Sequence, residues 1–180
     1  MLLRAQDSVL LVVDVQERLA PAIHETDAIV ETIRTLLTAA AEFAIPVLAT
    51  EQYSKGLGAT IPPVAELLPP GAAVEKIHFS AAHEPGFLDR IRSLDRRQIV
   101  VTGTEAHVCV LQTTLGLTQA GFDCFLVADA VGSRVPANRD LGIQRMRGCG
   151  VEIVTSEMVM FEWLHRAGTP TFKRVLPLIK

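Results

Sequence analysis

The 180-residue sequence predicts a three-layer α/β/α domain around a six-stranded, mostly parallel sheet. Two observations predict it. Short apolar runs of strand length alternate along the chain with segments whose apolar residues recur at helical spacing. The first of those runs, Val9 to Val13, is apolar without interruption, the pattern of a strand covered on both faces. Strict alternation of strand and helix implies right-handed crossovers, parallel strands and a helical layer on each side of the sheet.

The elements follow in order. Strand one, Val9 to Val13, stops at Asp14. From Asp27 to Phe43, residues Ile29, Ile33, Leu36, Leu37, Ala40 and Phe43 share one helical face, and the Ile45-Pro46 step closes that helix. Val47 to Ala49 opens strand two, Ala72 to Ile77 is strand three, Phe87 to Leu94 a short helix, and Ile99 to Thr102 strand four. His107 to Ala120 reads as a helix ended by Gly121, a residue type favoured just past a helix C-terminus. Phe122 to Ala128 is strand five, Asn138 to Cys149 a helix, and Val151 to Val154 strand six. Glu157 to Arg166 is a last helix, followed by a proline-containing tail.

With 49% hydrophobic residues the chain can bury a substantial core, so one domain over residues 1 to 180 is expected. The 17 basic and 20 acidic residues are interspersed and leave a net charge of −3, with no basic run longer than a pair such as Arg96-Arg97. That pattern gives no footprint for nucleic acid or an anionic membrane. The apolar start meets Asp14 too early for a signal-peptide core or a membrane span. Cys109, Cys124 and Cys149 are odd in number and form no CxxC, as expected of free thiols in a cytoplasmic protein. No internal repeat or low-complexity segment divides the chain.

In an open α/β sheet the ligand site lies beyond the carboxyl ends of the strands. The loops Lys55 to Pro63 and Gly132 to Pro136, rich in glycine and proline, both follow strands and are placed to wall it. Asp14 ends strand one, Lys76 ends strand three, and Cys109 opens the helix after strand four, so three reactive groups share that edge. A cysteine in a first helical turn faces the positive end of the dipole, which favours thiolate over thiol. An ammonium nearby adds to that effect, a carboxylate can take and return the proton, and backbone N–H groups can hold an oxyanion. These are the parts of acyl transfer through a thioester.

Each residue also has a plainer reading. Asp14 could cap a helix, Lys76 could be a solvated strand end, and Cys109 a small core residue, as Cys124 and Cys149 are expected to be. Cys109 differs in its turn-forming, polar neighbours Gly103, Thr104, Glu105 and His107. Gln16, Tyr53 and Phe79 stand just past strand ends and could line a small pocket, with Glu51 as a polar contact. His78, His107 and Arg134 flank the same edge, with substrate contact and structural support both open.

The segments VVDVQERL around Asp14, VEKIHFS around Lys76 and TGTEAHVCVLQTTL around Cys109 resemble the three signature segments of the isochorismatase-like cysteine hydrolase superfamily. TEQYSKGLG, the turn Asp129 to Arg134 and SEMVMFEWL extend the resemblance over nearly the whole chain, toward the branch with unassigned substrates. The resemblance implies a Rossmann-like topology, Asp14 as general base and acid, Lys76 as the stabilising cation and Cys109 as nucleophile. It also implies a cis peptide between Thr104 and Glu105, an oxyanion hole from the N–H groups of Glu105 and Cys109, and a homo-oligomer. Nicotinamidases of this superfamily resemble one another in an Asp-x-His metal pair after strand two, where this chain has Glu51-Gln52-Tyr53. No metal and no cofactor are therefore expected, and nicotinamidase activity is disfavoured. Isochorismatase proper resembles this chain in fold but lacks the cysteine, so Cys109 points to C–N cleavage of a small amide-type substrate.

Other classes stay in view. A nucleotide-binding domain needs a G-x-G-x-x-G turn after strand one, where the chain reads Asp14-Val15-Gln16-Glu17-Arg18. A non-catalytic oligomeric scaffold would not require Asp14, Lys76 and Cys109 together. Hydrolysis of a non-amide molecule, such as an isochorismate-like vinyl ether, is the remaining alternative. The apolar stretches Met158 to Trp163 and Phe172 to Ile179 either complete the core or form a contact between copies.

Overall fold

Six strands pair in parallel in the order β3-β2-β1-β4-β5-β6. They are β1 (Ser8–Val13), β2 (Val47–Gln52), β3 (Ala73–Lys76), β4 (Gln98–Thr104), β5 (Asp123–Gly132) and β6 (Glu152–Val154). The computed structural model describes residues Met1 to Ile179. Its helices are α1 (Thr26–Glu42), α2 (Ser54–Leu57), α3 (Pro62–Ala65), α4 (Phe87–Arg92), α5 (Leu111–Gln119), α6 (Pro136–Gly148), α7 (Ser156–Leu164) and α8 (Pro170–Ile179).

All six residues of β1 are buried, and period-2 alternation sends them into two separate cores. Leu10 and Val12 pack with Ile33 and Leu36 of α1, Trp163 of α7 and Val175 of α8. Val9, Leu11 and Val13 pack with Phe87 and Ile91 of α4, Leu117 of α5 and Met146 of α6. Burying a Leu or Ile side chain contributes about 1.5–3 kcal/mol, so the alternation fixes register as well as stability. The uninterrupted apolar run follows from having both faces covered.

The chain leaves β1 toward β2 and β3, then crosses back to lay β4 on the other side of β1. Strand order reverses between β1 and β4, and a crevice opens at such a point. Asp14 follows one of these strands and Cys109 the other.

The structure differs from the sequence reading in four places. The expected tail contains α8, whose Val175 is fully buried while Phe172, Leu178 and Ile179 pack against the core. The C-terminal apolar residues thus largely complete the core, although Met158 and Phe161 face outward. The loop after β2 holds the short helices α2 and α3, the second begun by Pro62. Strand β5 runs on to Gly132, because Val101 pairs with Leu126 but Gly103 with Val131. That irregularity is held by the Arg139 guanidinium, which donates to the carbonyls of Ala128 and Val131. Cys149 is exposed, unlike buried Cys124, because it follows the last turn of α6. No helix is long and apolar enough to cross a membrane among the described residues.

Candidate active site

Beyond Val13 the backbone turns out of the sheet at Asp14, whose φ of 53° lies in the left-handed region. Its carboxylate is held from two sides: Thr50 Oγ1 donates to Oδ1 at 2.6 Å and Lys76 Nζ to Oδ2 at 2.7 Å. Thr104 Oγ1 also donates to its backbone carbonyl at 2.6 Å. The close approach of β1 and β4 here requires Gly103, since a Cβ at that position would lie 2.1 Å from the Val13 carbonyl oxygen. Its φ of +127° is itself unfavourable for other residues.

Lys76 is the register partner of Gln52 on the neighbouring strand. Period-2 alternation puts Thr50, Gln52, Val74 and Lys76 on the sheet face that carries α4, α5 and α6. The buried ammonium donates to Asp14 Oδ2, to Gln52 Oε1 at 2.6 Å, and to the carbonyls of His78 and Phe79 at 3.3 and 3.4 Å. One charged and three neutral acceptors thus replace its water, which a desolvated cation requires.

Cys109 lies in a single π-helical turn, Ala106 to Val110, that leads into α5. Glycine at position 142 lets α6 approach this turn, for a Cβ there would stand 3.0 Å from the Ala106 carbonyl oxygen and the His107 Cα. The thiol is buried, and Asp14 and Lys76 are the charged side chains that act on it. Burial chiefly, then the Asp14 charge, pushes the Cys109 thiol up to about 12, with Lys76 pulling the other way. Burial and the carboxylate thus oppose the thiolate that the helix start and the ammonium favour. Desolvation and a neighbouring carboxylate outweigh the helix terminus and the ammonium.

The expected cis bond between Thr104 and Glu105 is corrected, because every described peptide bond is trans. The corner is turned by the φ values of Gly103, +127°, and Glu105, 58°. The Glu105 side chain pairs with Arg134, whose Nε and Nη2 donate at 3.1 and 3.2 Å. That contact gives Arg134 a structural partner. His107 shares a 3.0 Å hydrogen bond with Ser133 Oγ through Nδ1.

Of the expected pocket residues, Gln16 and Glu51 turn inward. Gln16 is fully buried, accepting the Gln52 N–H at 2.8 Å and donating to the carbonyls of Gln52 and Gly58 at 3.0 and 2.7 Å. Glu51 Oε1 accepts from the N–H and hydroxyl of Thr60, each at 2.7 Å. Tyr53 and Phe79 are exposed, at 52% and 55%. His78 Nδ1 lies 2.9 Å from Glu84 Oε2, and that hydrogen bond is the main reason the Glu84 carboxyl is held below its ordinary range.

Sequence reasoning passed over Thr50, Gln52 and Glu84 as site residues. A signal for two of them existed in the spacing Thr50-x-Gln52 at the end of a strand, which sends both side chains to one face. A groove of about 980 Å³ lies at the opposite end of the sheet, lined by residues including Arg4, Gln98, Asp123 and Phe161. It includes none of Asp14, Lys76 and Cys109. Among the described residues, no three His, Cys, Asp or Glu side chains cluster to hold a metal ion.

A six-stranded parallel sheet in this order, covered by helices, is the α/β fold of isochorismatase-like structures. Residues 8–158 match the isochorismatase domain family, and the chain belongs to that family. It is similar to isochorismatase domain-containing protein 2 of Danio rerio, 36% identical over 179 residues covering 98% of this chain and 89% of the relative. It is also similar to the secreted isochorismatase effector Isc1 of Phytophthora sojae (strain P6497), 33% identical over 96% of this chain and 84% of that protein. Among solved structures, the MAR1 ribonuclease of Caenorhabditis elegans superposes with a TM-score of 0.93 at 36% identity, covering 99% of this chain and 92% of that one.

Proposed function

We propose that this protein is a metal-independent cysteine hydrolase that cleaves the C–N bond of a small amide-type substrate through a thioester. The observation that carries the reading is the buried Asp14–Lys76 pair acting on the Cys109 thiol. Because the resting thiol is neutral, its proton passes to Asp14 as sulfur attacks the carbonyl carbon. The oxyanion accepts hydrogen bonds from the N–H groups of Glu105 and Cys109, and Lys76 balances the charge that builds on sulfur and oxygen. Collapse breaks the C–N bond, and Asp14 returns the proton to the departing nitrogen. Water then attacks the thioester, again losing its proton to Asp14, which passes it to the Cys109 sulfur as the acid leaves.

A small substrate suits a site whose Asp14 and Lys76 side chains are fully buried and whose Cys109 is 5% exposed. Tyr53 and Phe79 are the residues we assign to its mouth, while Gln16 and Glu51 hold the β2 loop from inside. The donors that could bind a metal at the end of β2 are engaged, Glu51 with Thr60 and Gln52 with Lys76, which supports chemistry without one. Exposed Tyr53, Ile77 and Phe79 support a homo-oligomer, and the free cysteines support a reducing, cytoplasmic setting.

The test is ammonia or amine release from a panel of small amides by wild type and Cys109→Ala, with a labelled RNA as a further arm because the C. elegans relative is named a ribonuclease. Amide turnover lost in the variant is expected. RNA cleavage lost in the variant, without amide turnover, overturns the amide assignment.

A further inference from the structure

We propose that Gln52 is the positioning residue that aims the Lys76 ammonium at Asp14 and Cys109. The proposal rests on the cysteine hydrolase reading above and adds to it a residue outside the three reactive groups.

Gln52 is fixed at every polar port. Its N–H and C=O are bracketed by the Gln16 side chain at 2.8 and 3.0 Å, and its Nε2 donates to the Ile77 carbonyl at 2.7 Å. Those contacts decide the orientation of its amide. Turned over, it would set amide hydrogens against the ammonium and oxygen against the Ile77 carbonyl. Oε1 is therefore held toward Lys76 Nζ, at 2.6 Å.

The acceptor is neutral, and that matters. The other close partner of the ammonium is the Asp14 carboxylate, and the two carbonyls stand farther off at 3.3 and 3.4 Å. A neutral oxygen fixes the direction of Nζ without cancelling its charge, so the charge remains available to the thiol and to an oxyanion. A carboxylate in its place would compete with sulfur for the same cation. Gln16, buried behind Gln52, extends the support by one further layer.

The experiment measures iodoacetamide alkylation of Cys109 at alkaline pH in wild type, Gln52→Met, Gln52→Glu and Lys76→Met, with thermal unfolding run beside it. Loosening of the fold exposes a buried thiol and speeds alkylation, whereas loss of an aimed positive charge slows it. The two roles thus move the rate in opposite directions. Expected is a slowing of about tenfold or more in both folded Gln52 variants and in Lys76→Met, one pKa unit being a tenfold change in thiolate. Gln52→Glu is nearly isosteric and serves if Gln52→Met does not fold. Rates unchanged or faster in the Gln52 variants, with Lys76→Met slowed, overturn the role of Gln52 alone. An unslowed Lys76→Met brings down the role of Lys76, and with it this inference.

Discussion

Lys76 Nζ and Asp14 Oδ2 lie 2.7 Å apart, and neither side chain has any exposure to solvent. The two residues are separated by β2, whose Thr50 and Gln52 complete the hydrogen bonding of the pair from below. A buried ion pair is not by itself a source of stability, since desolvation of both charges offsets their attraction. Its retention at the switch point of the sheet fits the work assigned to it.

Removing one partner strands the other charge. Lys76→Met and Asp14→Asn are each expected to destabilise the fold by about 3–5 kcal/mol, while the double variant loses clearly less than their sum. Urea unfolding of the four proteins measures this directly, and additive losses would contradict the pairing.

The Cys109 thiol, pushed up to about 12, is expected to alkylate slowly at neutral pH, with a rate that keeps climbing well above pH 9. Asp14→Asn removes the charge that ranks second after burial and shifts the alkylation profile to lower pH. The sign for stability follows from a folded value above the ordinary thiol value of 9.0. This contribution is fully present below about pH 9 and lost as pH rises toward 12. Cys109→Ala should flatten that alkaline loss in part, with buried Cys124, pushed up to about 11, supplying another share.

Two glycines should respond differently to alanine. At Gly103 the new Cβ meets backbone at 2.1 Å under a φ of +127°, so a loss above about 3 kcal/mol is expected. At Gly142 the contact is 3.0 Å and the gain in helix propensity, about 1 kcal/mol, offsets part of the strain. Gly142→Ala is expected to stay folded and to impair turnover, because α6 presses on the turn that carries Cys109. Unfolding midpoints with amide turnover separate the two cases.

Thr50→Val keeps the shape of the side chain and removes the 2.6 Å hydrogen bond to Asp14. A loss of about 1.5–3 kcal/mol is expected, as for a hydrogen bond to a charged group, with Thr50→Ser recovering most of it. Equal stability of the valine and serine variants would contradict the contact.

The six strands, their alternation with helices and the placing of Asp14 and Lys76 at one sheet edge were legible because apolar period and strand-end position are local properties of the chain. Gln52 was not, because its role depends on standing in register with Lys76 across β2 and β3, a pairing made only by the fold. The burial of the Cys109 thiol was not legible for a similar reason. A helix terminus can be read from sequence, but the burial that outweighs it comes from α4, α5 and α6 closing over the sheet. Gln16 and Glu51, both polar and just past strand ends, looked like pocket residues until the loop folded back and took their hydrogen bonds.

The central claim is tested most directly by trapping the acyl-enzyme. Wild type, Asp14→Asn and Cys109→Ala would be mixed with p-nitrophenyl acetate, quenched in acid and mapped by peptide mass spectrometry. The account predicts one acetyl group on Cys109 of the wild type, formed more slowly in Asp14→Asn and absent from Cys109→Ala. Nitrophenol release at the same rate in wild type and Cys109→Ala, with Cys109 unmodified, would contradict it.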